Sequence, residues 1–190
     1  MPALDPVYIS VDVETAGPNP NNYALLSIGA CRVDQPEISF YLELQPDRDS
    51  SDTLALEISG LDLKQLEADG VPALEAMLAF ETWVLAQKPA QGQIVLVAFN
   101  APFDWMFIAD YFHRYLGRNP FGHRALDIKA LYMGKLGVAW EQTGMAAVSQ
   151  SLGTPLRLSH NALEDARDQA RIFKALMETE RKKPENEEIL

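Results

Sequence analysis

Two carboxylates lie close together near the start of the chain, in a segment of alternating polarity. Asp12 and Glu14 are two residues apart, and residues at this spacing in a strand leave the same face. Two acids on one face repel each other unless a cation lies between them, and oxygen ligands suit Mg²⁺ or Mn²⁺. Taken alone, the pair is more typical of a solvated strand end than of a metal site.

A third carboxylate, Asp104, lies in the first turn of a predicted helix. It shares a helix face with Phe107, Ile108 and Tyr111, where a lone buried carboxylate would be costly. One interpretation is a favourable interaction with the helix N-terminus. The other places Asp104 at the end of a buried strand beside the first strand, where sites in α/β sheets gather.

His160 and Asp165 form the last cluster, at the start of the final predicted helix. On its own, this segment is also typical of a helix start on the surface. Phosphodiester hydrolysis at two metal ions needs several carboxylates and a base that titrates near neutrality. A histidine with an unperturbed pKa of about 6.5 meets the second need. The three clusters together therefore predict a metal-dependent hydrolytic site.

The elements that must position these residues follow from hydrophobic patterning. Alternating or continuous apolar runs predict strands at residues 7–14, 24–33, 38–44 and 94–99 and a short element at 125–128. Helical spacing predicts a helix over 71–87, with apolar residues at Leu74, Met77, Leu78, Trp83 and Leu85. A second helix is predicted from an N-cap at Asn100 to about Leu116, with Gly117 as its C-terminal stop. Asn161, followed by Glu164, resembles a capping arrangement at the start of a last helix. The order β-β-β-α-β-α-β-α-α predicts an α/β fold, with a mixed sheet flanked by helices.

Length and composition predict one domain over residues 1–180 and a flexible, charged tail over 181–190. The single cysteine, Cys31, and the absence of a long apolar segment predict a cytoplasmic protein without membrane spans. A net charge of −11 is unfavourable for long-range attraction of a polyanion. Bound metal ions would offset it, and the basic band at residues 113–135 either holds phosphates or is an ordinary solvated surface.

Three motifs resemble those of the histidine-bearing branch of the DEDD exonuclease superfamily. They are Val11-Asp-Val-Glu-Thr-Ala-Gly17, Asn100-Ala-Pro-Phe-Asp-Trp-Met-Phe107 and His160-Asn-Ala-Leu-Glu-Asp165. The segments Arg118-Asn-Pro-Phe121 and Gln142-Thr-Gly-Met145 are further similar to its ribonuclease T-like members. Pro18 departs from that pattern, because those members carry an aromatic residue there, so the resemblance does not define a base preference.

The resemblance implies an RNase H-like fold with a five-stranded sheet, two Mg²⁺ or Mn²⁺ ions, and a homodimer. It implies that four carboxylates are metal ligands: Asp12, Glu14, Asp104 and Asp165. It makes His160 the general base and places Thr15 and Ala16 against the terminal nucleotide, with Asn100 orienting the second motif. Phe103 is an aromatic near the expected cleft that would stack on a base. Core packing is the alternative for Phe103, as it is for Trp105, Phe107 and Phe121.

We therefore expect a 3′–5′ exonuclease that acts on the ends of single-stranded RNA or DNA, short oligonucleotides included. Two alternatives stay open at this point. One is a proofreading subunit that works only with a partner, and the other is a non-catalytic nucleic-acid-binding module derived from a nuclease. All four carboxylates and the histidine are present, which favours catalysis over the binding module.

Overall fold

The centre of the fold is a five-stranded mixed sheet in a computed structural model that describes residues 6–156 and 159–180. The strand order is β3-β2-β1-β4-β5. The strands are β1 (Val7–Thr15), β2 (Leu25–Arg32), β3 (Ser39–Glu43), β4 (Ile94–Ala98) and β5 (Ala125–Asp127). The first three form the expected antiparallel meander, and β4 runs parallel to both β1 and β5. The predicted mixed sheet is confirmed.

Side-chain alternation along β1 divides the interior into two layers. Ile9, Val11 and Val13 join the larger core beneath α3 (Ala73–Ala86) and α4 (Ala101–Leu116). Tyr8 faces the opposite core and meets Phe173 of α7 (Ala162–Glu178) edge-on, with ring centroids 5.0 Å apart. The polar face of β1 therefore points toward α7.

Four shorter helices and one 3₁₀ turn complete the part of the chain that the structure describes. They are α1 (Thr53–Ser59), α2 (Leu63–Asp69), α5 (Ile128–Leu136), α6 (Met145–Leu152) and a 3₁₀ turn at Trp140–Gln142. Neither α1 nor α2 is in the element order predicted from sequence. Each has seven residues, too few to show a helical period, and each begins at an aspartate cap, Asp52 or Asp62.

Two details of the predicted helices are wrong. On α3, Met77 is buried, in agreement with the predicted apolar spacing, but Leu74, Leu78 and Leu85 are exposed, because the face with Met77 and Phe80 turns inward. A helix with apolar residues all round has no period that selects the buried side.

Asn100 stands at the N-cap position of α4, but its side chain makes no capping hydrogen bond. Its backbone is left-handed, with φ of 69°, a conformation that asparagine tolerates better than most residues. The first free N–H of the helix, that of Ala101, is instead satisfied by Asp127 Oδ2 at 2.6 Å. The other end is as predicted: α4 stops at Gly117, also left-handed.

The expected tail at 181–190 lies outside the described residues. Among the residues that are described, no helix is both long enough and apolar enough to cross a membrane. Cys31 is buried, as predicted, and burial raises the pKa of its thiol to about 12.

Candidate active site

The site forms where β1 extends past its parallel neighbour. Residues Val7 to Ser10 pair with Ile94 to Val97 of β4, and β4 ends one residue later. Beyond that point the β4 side of β1 is covered by the first turn of α4. There the N–H of Val13 donates to Asp104 Oδ1 at 3.2 Å. The predicted meeting of Asp104 with the first strand is thus present in the structure.

Glycine at position 29 decides how closely α7 approaches. Gly29 lies directly across from Asp12 in the β1–β2 ladder. A Cβ placed on Gly29 would lie 2.0 Å from the backbone carbon of Ala162, in the first turn of α7. Only glycine allows this approach, which carries Asp165 onto the polar face of β1. Sequence patterning did not single out this residue.

Three carboxylates converge as a result. Asp12, Glu14 and Asp165 each offer an oxygen, and these three oxygens all lie within 4.8 Å of one another. Asp104 is buried beside them, with 4% of its surface exposed. All these ligand atoms are hard oxygens, which fit Mg²⁺ or Mn²⁺ rather than a soft thiophilic ion.

The electrostatics of this cluster favour cation binding. Burial, followed by the charges of Asp104, Glu14 and Asp165, raises the pKa of Asp12 well above its ordinary value. Burial and then Asp165 raise the pKa of Glu14 to about 7. These shifts show that burial and mutual repulsion both disfavour the charged carboxylates. A divalent cation between them would remove that repulsion.

The pKa of Asp104 is also raised, to about 8, chiefly by burial. The N–H of Val13 offsets part of this effect because it hydrogen-bonds to the carboxylate, whereas the nearby Glu14 and Asp127 add to it. Asp127 itself joins three elements: it ends β5, caps α5 through Ala130 and accepts the N–H of Ala101. Asp127 therefore supports the backbone at the start of the second motif.

Gln169 holds Asp12 in place. Its Nε2 donates to Asp12 Oδ1 at 2.5 Å, and its Oε1 accepts the N–H of Phe99 at 2.9 Å. The side chain is 1% exposed, so it ties together β1, the end of β4 and α7. Gln169 lies four residues after Asp165, on the same helix face, and this spacing is the signal by which sequence could have found it.

His160 precedes the cap of α7 and is exposed. Its backbone is left-handed, with φ of 50°. The neighbouring Ser159 approaches Asp165 Oδ1 through both its N–H and its hydroxyl, at 3.3 and 3.4 Å. Asn161 caps α7 as predicted, accepting from the N–H groups of Leu163 and Glu164. The segment carrying His160 is therefore anchored beside Asp165, and the catalytic role of His160 stays a prediction.

The predicted substrate contacts lie around the same edge. The hydroxyl of Thr15 donates to the Gly17 carbonyl, and the N–H and carbonyl of Ala16 are used by Ala24 and Asp52. Thr15 and Ala16 are also buried, at 6% and 1% exposure, so only a small part of each is open to packing against a nucleotide. Asn100 is exposed and Phe103 is partly buried, packed against Phe107 with ring centroids 5.5 Å apart. Phe107 and Phe121 are core residues, and Trp105 packs against the core.

Most cations of the basic band are used within the protein. Arg114 pairs with Asp47 and Asp110, and Arg118 pairs with Glu81. The remaining three make uncharged contacts: Lys135 with the carbonyls of Leu176 and Met177, Arg124 with Gln93, and Lys129 over the ring of Trp140. The band is therefore largely structural, and little of it is free to hold phosphates.

A five-stranded mixed sheet with four carboxylates brought together where β1 ends is the arrangement expected of a DEDD-type 3′–5′ exonuclease. The chain belongs to the family described as the 3′-5′ exoribonuclease Rv2179c-like domain, whose model matches residues 7–177. It is 41% identical to the 3′-5′ DNA exonuclease Cap18 of Escherichia coli, across 93% of this chain and 95% of that protein. It is 30% identical to ribonuclease T of Yersinia enterocolitica, across 87% and 81%.

Solved structures show the same fold. The nuclease domain of 3′hExo, a DEDDh family member bound to rAMP, matches with a TM-score of 0.74 and 16% identity, across 92% of this chain and 93% of that domain. Exonuclease I of E. coli in complex with a dT13 oligonucleotide matches with a TM-score of 0.71 and 16% identity. The match covers 92% of this chain but only 41% of Exonuclease I. The predicted fold class and superfamily are confirmed.

Proposed function

We propose that this chain removes nucleotides from the 3′ ends of single-stranded RNA or DNA by two-metal phosphodiester hydrolysis. One observation carries the proposal: the oxygens of Asp12, Glu14 and Asp165 converge within 4.8 Å. The buried Asp104 supplies the fourth carboxylate beside them. No soft ligand takes part in this cluster, so Mg²⁺ or Mn²⁺ is the expected ion.

Asp12, Glu14, Asp104 and Asp165 would hold two such ions, whose chemistry would be to activate the attacking water and to stabilise the leaving oxygen. Gln169 fixes one oxygen of Asp12 and Ser159 approaches one oxygen of Asp165, so both carboxylates have restricted rotation. This order lowers the entropic cost of assembling the ligand set.

His160 is the proposed general base. A neutral imidazole nitrogen can accept the proton of the attacking water, which is the ordinary role of a histidine general base. Because Ser159 contacts Asp165, the histidine is attached next to the ligand set rather than elsewhere on the surface. Its exposure leaves it free to meet a bound substrate.

The 3′ end of the proposed substrate lies against Thr15, Ala16, Asn100 and Phe103. Thr15 and Ala16 contact it by packing, because their hydrogen-bonding groups already bind other parts of the protein. Few cations remain to hold a long backbone, which favours a grip on the terminal nucleotides and includes short oligonucleotides. The names of the family and of Cap18 refer to different sugars, so both RNA and DNA belong in the proposal.

A homodimer is part of the proposal through the resemblance to ribonuclease T-like enzymes. A reducing, cytoplasmic setting is proposed because the single cysteine is buried as a thiol. Size-exclusion chromatography with light scattering would test the first, since one chain has a mass of 21.1 kDa.

The test uses 5′-labelled single-stranded RNA and DNA of the same sequence, with the purified chain alone. We expect a ladder that shortens from the 3′ end with Mg²⁺ or Mn²⁺ and no cleavage in excess EDTA. Asp12→Asn and Asp165→Asn should abolish cleavage. Asp34→Asn is the matched control, because that aspartate is exposed and pairs only with Arg32 among the contacts described.

Cleavage that persists in EDTA would defeat the metal-dependent mechanism. Cuts in a circular single strand would show an endonuclease instead. If the chain were inert alone and became active on adding cell extract, the partner-dependent proofreading alternative would be supported.

A further inference from the structure

The end of β1 contains an irregularity at the site. Glu14 pairs with Ser27 in the β1–β2 ladder, but the next residue, Thr15, pairs with Leu25, so Leu26 is an extra residue in β2. A bulge of this kind bends the strand and re-aims nearby side chains, and such bulges are frequent beside active sites. The direction of the Glu14 carboxylate therefore depends on what holds the bulge.

A tyrosine of α4 holds it. The N–H of Leu25 donates to the hydroxyl of Tyr111 at 2.7 Å, and that hydroxyl in turn donates to Asp47 Oδ1. Tyr111 is 1% exposed. Burial, and then the bond to Asp47, raise the pKa of Tyr111, so the hydroxyl keeps the proton that it donates.

Two hydrogen bonds from α4 hold the backbone on either side of Glu14. Asp104 and Tyr111 are seven residues apart, two helical turns, and so lie on one face of α4. Asp104 accepts from Val13, the residue before Glu14. Tyr111 binds Leu25, the partner of Thr15, the residue after Glu14. The helix that carries one proposed metal ligand thus also sets the backbone that aims another.

Asp47 is itself held by several donors. Tyr115 donates to its Oδ2 at 2.6 Å, and Arg114 and Arg48 donate to the same oxygen at 2.7 and 3.1 Å. Five residues later the N–H of Asp52 donates to the carbonyl of Ala16 at 2.7 Å. The network therefore reaches the end of β1 in two ways: Tyr111 binds Leu25 of the neighbouring strand, and the segment that follows Asp47 binds Ala16 through Asp52.

We propose that Tyr111, oriented by Asp47, is a positioning residue that aims Glu14 and the Thr15–Ala16 backbone for metal and substrate binding. This inference rests on the proposed metal-dependent function. Tyr111 touches neither ion nor substrate in this role. Removing the hydroxyl of Tyr111 leaves the buried N–H of Leu25 without its acceptor, and this destabilises the bulge. Asp47 keeps three other donors.

The experiment compares Tyr111→Phe with Tyr115→Phe. Both lose one hydroxyl from the same helix and the same Asp47 carboxylate, but only Tyr111 bonds to the bulge. Titration calorimetry with Mn²⁺ alone, and kcat and KM on a labelled oligonucleotide, are measured for both. We expect the Kd for Mn²⁺ to rise about threefold to tenfold in Tyr111→Phe, below the 10–100-fold typical of direct outer-shell partners, with kcat falling too. Tyr115→Phe should stay within about twofold of the wild type in Mn²⁺ affinity, since it keeps every bond to the bulge.

Equal Mn²⁺ affinity in both variants and the wild type would overturn the inference, and so would equal losses in both. If Tyr111→Phe does not fold, Asp47→Ala is the second variant. It keeps Tyr111 but removes the acceptor of its hydroxyl, and we again expect a weaker affinity for Mn²⁺. Unchanged affinity in a folded Asp47→Ala would count against the inference. Failure of the wild type to bind Mn²⁺ would instead refute the proposed function on which the inference rests.

Discussion

The stability of the folded chain depends on the protonation of Glu14, one of the carboxylates of the candidate site. Burial and Asp165 raise its pKa from 4.5 to about 7, so the folded chain holds this proton more tightly than the unfolded chain. Stability from that proton is fully present below the unfolded pKa and is lost as pH rises through about 7. In the metal-free protein we expect the Tm to fall from about pH 5 to pH 8, and to fall less in Glu14→Gln.

Thermal melts in EDTA across this pH range measure the effect. At this chain length roughly 2–4 °C corresponds to 1 kcal/mol, so a difference of several degrees is expected at pH 8. Glu37→Gln is the control, because Glu37 is an exposed acid. Parallel pH profiles for wild type and Glu14→Gln would contradict the raised pKa. Adding Mn²⁺ at pH 8 should raise the Tm of the wild type, because the ion binds only the folded state.

His160 can be separated from metal binding because all four carboxylates survive its removal. In His160→Ala we expect Mn²⁺ affinity close to that of the wild type and a rate lower by about 10²–10⁴, the usual worth of a positioned general base. The wild-type rate should rise with pH, since only neutral imidazole accepts a proton, and that rise should flatten in the variant.

Rate against pH for wild type, His160→Ala and His160→Asn decides the question. The asparagine keeps a polar group but accepts no proton, so it should be nearly as slow as alanine. His123→Ala is the control, as that histidine is exposed outside the ligand set. An unaltered pH profile in His160→Ala would show that His160 is only a surface residue at the start of a helix.

At the scale of elements, the contact between α7 and β2 assembles the site. Gly29→Ala would place a methyl group against the Ala162 backbone, so the first turn of α7 must shift and carry Asp165 with it. We expect a loss of activity of about 10²-fold or more, because small misplacements at a site cost that much. Gly134→Ala is a matched control: a Cβ there meets nothing within 4 Å, and Gly134 lies inside α5.

Activity, Tm and Mn²⁺ affinity are measured together for the two glycine variants. Gly134→Ala should be as active as the wild type and no less stable, since alanine favours helix over glycine by about 1 kcal/mol. Wild-type activity in a folded Gly29→Ala would show that α7 can shift without displacing the carboxylate of Asp165, and would contradict the expected role of Gly29.

At the scale of the whole molecule, charge limits how substrate is held. The net charge is −11, and three of the five cations in the basic band are bound to acids or to the end of α7. We expect about two phosphates to be neutralised, giving a KM that rises by roughly tenfold or less between 50 and 200 mM salt. A protein that grips 6–10 phosphates would lose about 10³–10⁵.

KM measured against salt for a trimer and a 20-mer tests this. Similar values and similar slopes are expected for the two lengths, because only the terminal nucleotides are held. A steep slope that appears only with the 20-mer would show an extended backbone grip and would restore a phosphate-binding role for the basic band.

Local pattern was enough to predict much of this molecule. Alternation in β1 predicted which face carries Asp12 and Glu14, and a continuous apolar run predicted β4, because burial on one or both faces leaves a direct trace in residue order. The motif residues themselves indicated the superfamily, and the family match confirms it. The helices α1 and α2 were missed because seven residues are too few for a period.

Tertiary structure alone decided what brings the carboxylates together and what supports them. Gly29 meets Ala162, Gln169 binds Asp12 and Tyr111 binds Leu25, each across more than eighty positions of the chain, so no local period or cap signals these contacts. The same holds for the pairs of Arg114 with Asp47 and of Arg118 with Glu81, whose acids lie on distant segments. Residue order determined the candidate ligands, because their types and faces are local properties. The convergence of Asp12, Glu14 and Asp165 within 4.8 Å depends on close packing between distant segments.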